Sequence, residues 1–266
     1  MIIIGESLNA TIKKVKQAVI DRDAQFIQAL AMEQVEKGAN MLDVNAAVSG
    51  MDEAENLTWM VKTVQEVVNV PLVLDSSSPE ALLAAMEVHK GKPMINSISA
   101  EKEKVEKLQP VVASADCDVI VLCMDDDGIS TDVETRLDIA RRVVIPLLEA
   151  GKKPEEIYID PLVMSVSVDM DAPKTTLELI RRIHEGVPGM EGVNTTGGLS
   201  NVSFGMPNRR LINSHFLSMA ISNGLNSCIV DVRNHDLMNG IYAAAALTDP
   251  KGFRNYLKLC RKGIID

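Results

Sequence analysis

Short apolar segments alternate with longer amphipathic segments along the entire chain. The apolar segments contain few polar positions, which is typical of strands buried on both faces in a helix-covered parallel sheet. Such strands are predicted near residues 1–5, 41–45, 71–75, 93–98, 117–124, 156–161, 191–196 and 227–232. Helices are predicted between them near 22–38, 55–68, 79–90, 101–114, 132–150, 173–185, 209–223 and 235–247, followed by a final helix near 250–262.

Several of the predicted helix ends carry a local signal. Ser78 and Pro79 form an N-cap followed by proline at the first helical position, and Thr131 with Glu134 has the spacing of a capping box. Glycine commonly ends a helix because it adopts a left-handed conformation without a steric penalty. Three glycines are expected to end helices in this way: Gly38, Gly151 and Gly224.

The repeated strand–helix units favour one closed barrel, because no Pro-, Gly- or Ser-rich linker interrupts them. The 266 residues also match the length of about 250 residues that is typical of a (β/α)8 barrel. An open doubly wound sheet would often have a glycine-rich first turn, whereas the turn at 5–9 contains a single glycine, Gly5. We therefore predict the α/β class, with a single (β/α)8 TIM-barrel domain over residues 1–266.

The composition excludes several classes of function. The net charge of −10 and the isoelectric point near 5.0 argue against nucleic-acid binding, which requires clustered lysine and arginine. No apolar run approaches the roughly 18 residues of a membrane span, and the start of the chain lacks a signal-peptide pattern. We expect a cytoplasmic protein without a membrane partner. The four cysteines and four histidines show no metal-ligand spacing, so no bound metal is predicted.

Polar side chains follow the predicted strands at the points where these end, which is where α/β barrels carry their active sites. These strand-end residues are acids and amides: Glu6, Asn9, Asp43, Asn45, Asp75, Asn96, Asp125, Asp160, Asn201 and Asp231. No lysine falls at a strand end, which argues against Schiff-base chemistry and makes a phosphate ligand less favoured. A carboxylate accepts two parallel N–H bonds from an amidine-like edge. Pterins present such an edge, although spacing by itself does not separate them from other polar heterocycles.

Blocks of sequence along the whole chain, in order, resemble the pterin-binding methyltransferases. The most specific blocks are Y-I-D-P-L at 158–162 and G-L-S-N-V-S at 198–203. Further similar segments lie at 41–45, 74–76, 94–97, 103–107, 208–209 and 211–213. This family includes the methyltetrahydrofolate:corrinoid protein methyltransferases and the folate domain of cobalamin-dependent methionine synthase. The chain resembles the stand-alone form.

The resemblance implies roles for individual residues. The residues implied to bind the pterin are Asp75, Asn96, Asp160, Gly198, Ser200, Asn201 and Arg209. Among them, Asn201 is implied to lie beside N5, the nitrogen that bears the methyl group. An amide there can donate to neutral N5 or accept from protonated N5, so Asn201 is the candidate catalytic residue. Because no histidine lies at the strand ends, Asp43 and Asn9 are assigned to a wider network that relays the proton.

The resemblance implies a methyltransferase that moves a methyl group between N5 of tetrahydrofolate and the cobalt of a separate corrinoid protein, in the one-carbon metabolism of an anaerobe. Tetrahydrofolate or 5-methyltetrahydrofolate is then a substrate, the partner carries the cobalamin, and a homodimer is expected. Two departures from the family, Ser7 where a basic residue is usual and the segment at 204–206, favour a demethylating system.

Three alternatives stay open on the sequence. The first is a condensation like that of dihydropteroate synthase, which the lysine-free strand ends disfavour. The second is a pterin-binding module without chemistry of its own. The third is a magnesium-dependent lyase that uses Asp43, Asp75 and Asp160.

Overall fold

Eight parallel strands surrounded by helices form the barrel in the computed structural model, which describes residues 1–265. The strands are β1 (Ile2–Asn9), β2 (Met41–Asn45), β3 (Leu72–Asp75), β4 (Met94–Ser99), β5 (Asp118–Leu122), β6 (Ile157–Asp160), β7 (Asn194–Thr195) and β8 (Ser227–Val230). They pair in the order β7-β6-β5-β4-β3-β2-β1-β8. The two ends of this order meet where the Ile229 amide donates to the Gly197 carbonyl at 3.1 Å. The predicted (β/α)8 barrel is confirmed.

Helices follow the strands and run back along the outside of the barrel. They are α1 (Lys13–Asp21), α2 (Ala24–Glu36), α3 (Glu53–Gln65), α4 (Pro79–Val88), α5 (Lys102–Lys107), α6 (Gln109–Ser114), α7 (Val133–Glu149), α8 (Ala172–Glu185), α9 (Arg209–Ser222), α10 (His235–Thr248) and α11 (Pro250–Arg261). Short 3-10 helices lie at Pro154–Glu156 and Leu199–Ser203. Within residues 1–265, no helix has the length and apolar character to cross a membrane.

Several elements differ from the sequence prediction, among them β7, which covers only Asn194–Thr195 of the strand predicted over 191–196. Strand β1 continues to Asn9 through a register shift between Gly5 and Leu8, a type of irregularity that occurs near active sites. Helix α1 was not predicted, since it buries only a small apolar face. The helix predicted over 101–114 is divided into α5 and α6, because Pro110 lacks an amide hydrogen and fits only the first turn of a new helix.

The helix-end predictions are mostly confirmed. Ser78 caps α4 by accepting a hydrogen bond from the Ala81 amide at 3.2 Å. The predicted capping box at Thr131 is wrong by one residue, because the Asp132 carboxylate accepts from the Thr135 amide at 2.8 Å instead. The three helix-ending glycines have positive φ angles: Gly38 (102°), Gly151 (100°) and Gly224 (105°). The prediction of one domain over residues 1–266 stays a prediction, and Asp266 lies outside the described residues.

The inside of the barrel is filled by one apolar layer. Its buried members are Ile4, Met41, Val73, Met94, Ile120 and Tyr158. Successive inward-facing side chains of a strand lie two residues apart. Two residues further along these strands stand Glu6, Asp43, Asp75, Asn96, Leu122 and Asp160. The alternation of the strands therefore places a mostly polar layer directly above an apolar one, at the carboxyl end of the barrel.

Candidate active site

The polar layer is most tightly connected where β2, β3 and β4 lie side by side. Asn96 donates to the Asp43 carboxylate at 3.0 Å, and Asn45 donates to the Asp75 carboxylate at 3.1 Å. Asp43 is 2% exposed. The strand register groups these side chains, because Asp75 and Asn96 are direct partners across β3 and β4, and Asp43 is the partner of Val73, two residues before Asp75. The structure thus brings together three of the predicted site residues, one from each strand.

Asp43 and Asp75 form a carboxylate pair with altered acidity. Burial raises the pKa of Asp43 well above its ordinary value, and the charge of Asp75 raises it further, against the hydrogen bond from Asn96. Burial also raises the pKa of Asp75 to about 6, although the hydrogen bond from Asn45 lowers it. Two neighbouring carboxylates that are largely buried disfavour each other's ionisation, so a proton on one of them stabilises the pair. We assign that proton to the more deeply buried Asp43.

Glu6 extends this acidic group towards β1 and β8. Burial raises the pKa of Glu6 to about 7, and the charge of Asp231 adds to the effect while that of Arg233 opposes it. The Arg233 guanidinium binds both oxygens of Asp231, at 2.8 and 3.1 Å. The sequence placed Glu6 at a strand end but assigned it no role in the site. Its position two residues after the inward-facing Ile4 is the signal that adds it to the polar layer.

A lysine also approaches the site, although none ends a strand. Lys104 on α5 is mostly buried and its Nζ lies 3.1 Å from the Glu101 carboxylate. Its charge lowers the pKa of Asp75, as the smallest of several influences on that carboxylate. The lysine therefore contributes positive charge near Asp75 while it forms an ion pair of its own.

Asp160 occupies the opposite side of the barrel opening and is held by backbone amides. Its Oδ1 accepts from the Leu162 amide at 2.8 Å, and the Gly198 amide also bonds to this carboxylate. Burial raises the pKa of Asp160 to about 6, while these backbone bonds lower it. A Cβ atom on Gly197 would lie only 3.3 Å from Asp160 Oδ1. Glycine at this position therefore allows the loop after β7 to approach the carboxylate closely.

The loop after β7 carries Asn201 on a short 3-10 helix. Asn201 and Ser200 are exposed. Arg209 at the start of α9 donates to the Ser200 carbonyl at 3.0 Å and to the Ser203 hydroxyl at 3.1 Å. The Asn201 carbonyl accepts from the Phe204 amide at 3.0 Å. The predicted pterin residues Ser200, Asn201 and Arg209 are thus brought together, with Arg209 bound to the turn that carries Asn201.

Asn9 lies apart from the carboxylate pair in its hydrogen bonding. Its Oδ1 accepts from both the amide and the hydroxyl of Thr11, at 3.0 and 2.7 Å. These bonds form a local turn after β1. The assignment of Asn9 to a proton relay stays a prediction, and only the NH2 group of its carboxamide is left for that role.

No metal site is evident in the described part of the chain. Among residues 1–265, no group of three or more His, Cys, Asp or Glu side chains is arranged to hold a metal ion. The four cysteines are free, and Cys123 and Cys228 are buried as expected. The predicted absence of a bound metal stays a prediction.

Comparison with known proteins agrees with this geometry. The family model described as pterin binding enzyme matches residues 5–231. The chain is 36% identical over 271 residues to a protein of Eubacterium limosum named methylcorrinoid:tetrahydrofolate methyltransferase, covering all of this chain and 98% of that protein. It is 30% identical over 240 residues to methionine synthase of Mycobacterium leprae (strain TN). That match covers 86% of this chain and 20% of the synthase.

Solved structures share the fold at lower identity. Dihydropteroate synthase from Xanthomonas albilineans, in complex with 7,8-dihydropteroate, superposes with a TM-score of 0.67 at 19% identity, over 92% of each chain. The Yersinia pestis enzyme, with a bound pterin–sulfa conjugate, gives 0.64 at 15% identity, over 91% of this chain and 92% of that one. At these identities the likeness shows the fold alone. The family match over most of the chain and the full-length relative together confirm the resemblance seen in the sequence: the chain belongs to the pterin-binding enzyme family.

Proposed function

We propose that this protein is a methyltransferase that moves a methyl group between N5 of tetrahydrofolate and the cobalt of a corrinoid carried by a separate protein. The observation that carries the proposal is the polar layer of acids and amides at the barrel opening, in a chain that matches its methyltransferase relative from end to end. A layer of this kind suits a neutral, donor-rich ring rather than an anion.

Asp75, Asn96 and Asp160 hold the pterin ring in this proposal. Asn96 directs its NH2 group to Asp43, so its carboxamide oxygen is turned away as an acceptor for a ring N–H. The Asp160 carboxylate accepts from the Leu162 amide at Oδ1, and its remaining lone pairs can accept the two N–H bonds of the amidine-like edge of the pterin. Gly198 supports this contact through its amide, which bonds to Asp160.

Asn201 serves the reacting nitrogen. Methyl transfer to N5 places positive charge on that nitrogen until its proton leaves, and the reverse reaction needs protonation at N5 as the N–methyl bond breaks, so charge develops at N5 in either direction. A carboxamide whose hydrogen bond strengthens as that charge develops lowers the barrier. Asn201 does this without titrating, and Ser200 and Arg209 maintain the turn that presents it.

The acidic group around Asp43 is the proposed store for the proton. Glu6, with a pKa of about 7, is partly protonated near neutral pH, and Asp43 shares a proton with Asp75. A group whose pKa lies near the working pH both gives and takes a proton readily. Asp43 and Asn9, assigned to the relay from the sequence, keep that role as part of the proposal.

Transfer of a methyl group is the direct test. Purified protein, tetrahydrofolate and a methylated corrinoid protein should together form 5-methyltetrahydrofolate, with loss of the methylcobalt absorbance. Folate binding in calorimetry without any transfer, to free cob(I)alamin or to a corrinoid protein, would instead support a binding module. Formation of dihydropteroate from p-aminobenzoate would support the synthase alternative, and loss of activity in EDTA would support the lyase.

The direction of methyl transfer, the oligomeric state and the cellular location are further parts of the proposal. We propose transfer from the methylcorrinoid to tetrahydrofolate, the order in the name of the Eubacterium limosum relative, which agrees with the demethylating system inferred from Ser7 and residues 204–206. Comparing initial rates in both directions tests this. The resemblance implies a homodimer, which light scattering tests. We also propose a cytoplasmic location, which cell fractionation tests.

A further inference from the structure

Arg136, on the first turn of α7, is a buried cation whose hydrogen bonds end on backbone carbonyls. It is 1% exposed. Its guanidinium donates to the carbonyls of Pro161 and Leu162, both at 2.8 Å, and to the carbonyl of Ser130. A buried arginine normally bonds to a carboxylate. Here the positive charge is directed instead at the loop that follows β6.

The turn that Arg136 binds has a backbone conformation that leucine rarely adopts. Leu162 has a φ of 60°, in the left-handed region. For a residue other than glycine, asparagine or aspartate this conformation is unfavourable, and such residues persist only where their surroundings hold them. Leu162 is held on both sides, because its carbonyl accepts from Arg136 and its amide donates to Asp160.

We propose that Arg136 is a positioning residue for the reaction, because it holds Leu162 in the left-handed conformation that directs the Leu162 amide at Asp160. Through this turn Arg136 sets the orientation of the Asp160 carboxylate. The inference rests on the proposed function, in which Asp160 binds the pterin ring. Arg136 itself touches neither the ring nor the reacting atoms.

The first test compares Arg136→Met and Arg136→Lys with the parent protein. We expect the Kd for tetrahydrofolate to rise at least about tenfold in both, because neither side chain provides a fork that reaches three carbonyls. The kcat at saturating folate should change less than about threefold, since Asn201 lies on a different loop. Arg141→Met on the same helix, at an exposed pair with Asp138, is the matched control and should leave Kd unchanged.

The second test is rescue by glycine. Glycine adopts a positive φ without a steric penalty, so Leu162→Gly combined with Arg136→Met should recover at least about threefold of the lost affinity. Unchanged folate affinity in a folded Arg136→Met or Arg136→Lys protein would overturn the proposal. Failure of Leu162→Gly to recover any affinity would also overturn it, since the arginine would then act through its charge alone. Arg136→Lys keeps the buried charge, so the test can rest on this variant if Arg136→Met does not fold.

A readout without folate separates this inference from the proposed function. Amide hydrogen exchange at Leu162, measured on the unliganded protein, should be slow in the parent and in Arg141→Met, and at least about tenfold faster in Arg136→Lys. If the exchange accelerates while the parent binds no folate, the proposed function fails and the positioning of the turn stands. Equal exchange in all three proteins would overturn the role of Arg136.

Discussion

The two sides of the barrel opening hold their polar groups by different means. On the side formed by β2, β3 and β4, acids and amides bond to one another, as in the contact between Asn96 and Asp43. On the side formed by β6 and β7, Asp160 is fixed by backbone amides of two loops. The first side is a network of side chains. The second is a carboxylate set in a rigid frame.

This difference suits the two sides to different tasks: the side-chain network can hold and move a proton, and the carboxylate held by backbone amides can orient a ligand. Neighbouring carboxylates share a proton, and each can adjust its charge when the other changes. A carboxylate held by backbone N–H groups has no titrating neighbour of this kind, so its orientation is fixed although burial also raises its own pKa to about 6. Glu6 and Asp43 thus form the group suited to hold and move a proton, beside the ring-binding Asp75, whereas Asp160 on the other side serves to orient the ring.

Removal of the rigid carboxylate should have the largest effect. We expect Asp160→Ala to raise the Kd for tetrahydrofolate by about 1000-fold, because two charge-assisted hydrogen bonds are each worth about 1.5–3 kcal/mol. Isothermal titration calorimetry measures this loss. Asp160→Asn keeps the shape of the side chain and should lose less folate affinity than Asp160→Ala. A tenfold loss or smaller for Asp160→Ala would show that this side does not anchor the ring.

Asn201→Ala should act on the rate and leave binding almost intact. A preorganised group that stabilises developing charge is worth about 100-fold in kcat, whereas the Kd for folate should stay within about threefold. Single-turnover kinetics with a methylated corrinoid protein separate these quantities. Lys258→Ala, at an exposed position on α11, is the control. A change of less than twofold in the rate of Asn201→Ala would exclude the assigned role.

Folate affinity should fall as the pH is lowered through 6. The pKa values of Asp75 and Asp160 are about 6, and the donor edge of a pterin binds their ionised forms. Each carboxylate that must ionise therefore weakens binding by about tenfold per pH unit below its pKa. Calorimetry between pH 5 and 8, in two buffers of different ionisation enthalpy, measures both the affinity and the protons released. In Asp160→Asn the folate affinity should depend less steeply on pH, because one titrating carboxylate is removed.

The free energy of unfolding of the unliganded protein should fall as the pH rises, whereas the folate affinity should rise. A carboxylate whose pKa is raised on folding binds protons more tightly in the folded state, so the free energy of unfolding falls as the pH rises from 4 to 6. For Asp160, a rise from 3.8 to about 6 corresponds to about 3 kcal/mol. Urea denaturation at fixed pH values measures this slope. A free energy of unfolding that rises with pH across that interval would contradict the raised pKa of Asp160.

Asp43→Asn should have a smaller effect on folate binding than Asp160→Ala, and it tests whether the two sides of the opening have different roles. If Asp43 holds the shared proton, its neutral acid form resembles asparagine in shape and charge. The Kd for folate should therefore change less than about threefold, while the rate falls about tenfold because one proton donor is lost. Stopped-flow rates between pH 6 and 8 would test this. A large loss of affinity would indicate that Asp43 is ionised and contacts the ring.

Asn9→Ala should have the smallest effect. The Asn9 oxygen is occupied by Thr11, so its share of a proton relay is limited to the NH2 group. We expect the rate to fall less than about threefold and the free energy of unfolding to fall by about 1 kcal/mol from the lost hydrogen bonds. A rate loss as large as that of Asn201→Ala would place Asn9 in the centre of the relay.

Much of the site could be predicted because barrel strands impose a simple rule. Inward side chains alternate along each strand, so a polar residue at the end of an apolar run points to the opening. Asp75, Asn96 and Asp160 were identified in this way. Glu6 was recognised at a strand end but was given no role, since the family resemblance implies none for it. Gly197 was missed because its role depends on a contact with Asp160 on another strand.

The order of the elements and the polar strand ends could be read from the sequence, because these follow from periodicity within single segments. The family blocks at 158–162 and 198–203 also required no coordinates. The three-dimensional structure was needed to show that Asn96 contacts Asp43, that the Leu162 amide holds Asp160, and that Arg136 binds the Leu162 carbonyl. Such properties depend on distances between residues far apart in the chain and on the removal of water around them, and neither is encoded in a local pattern.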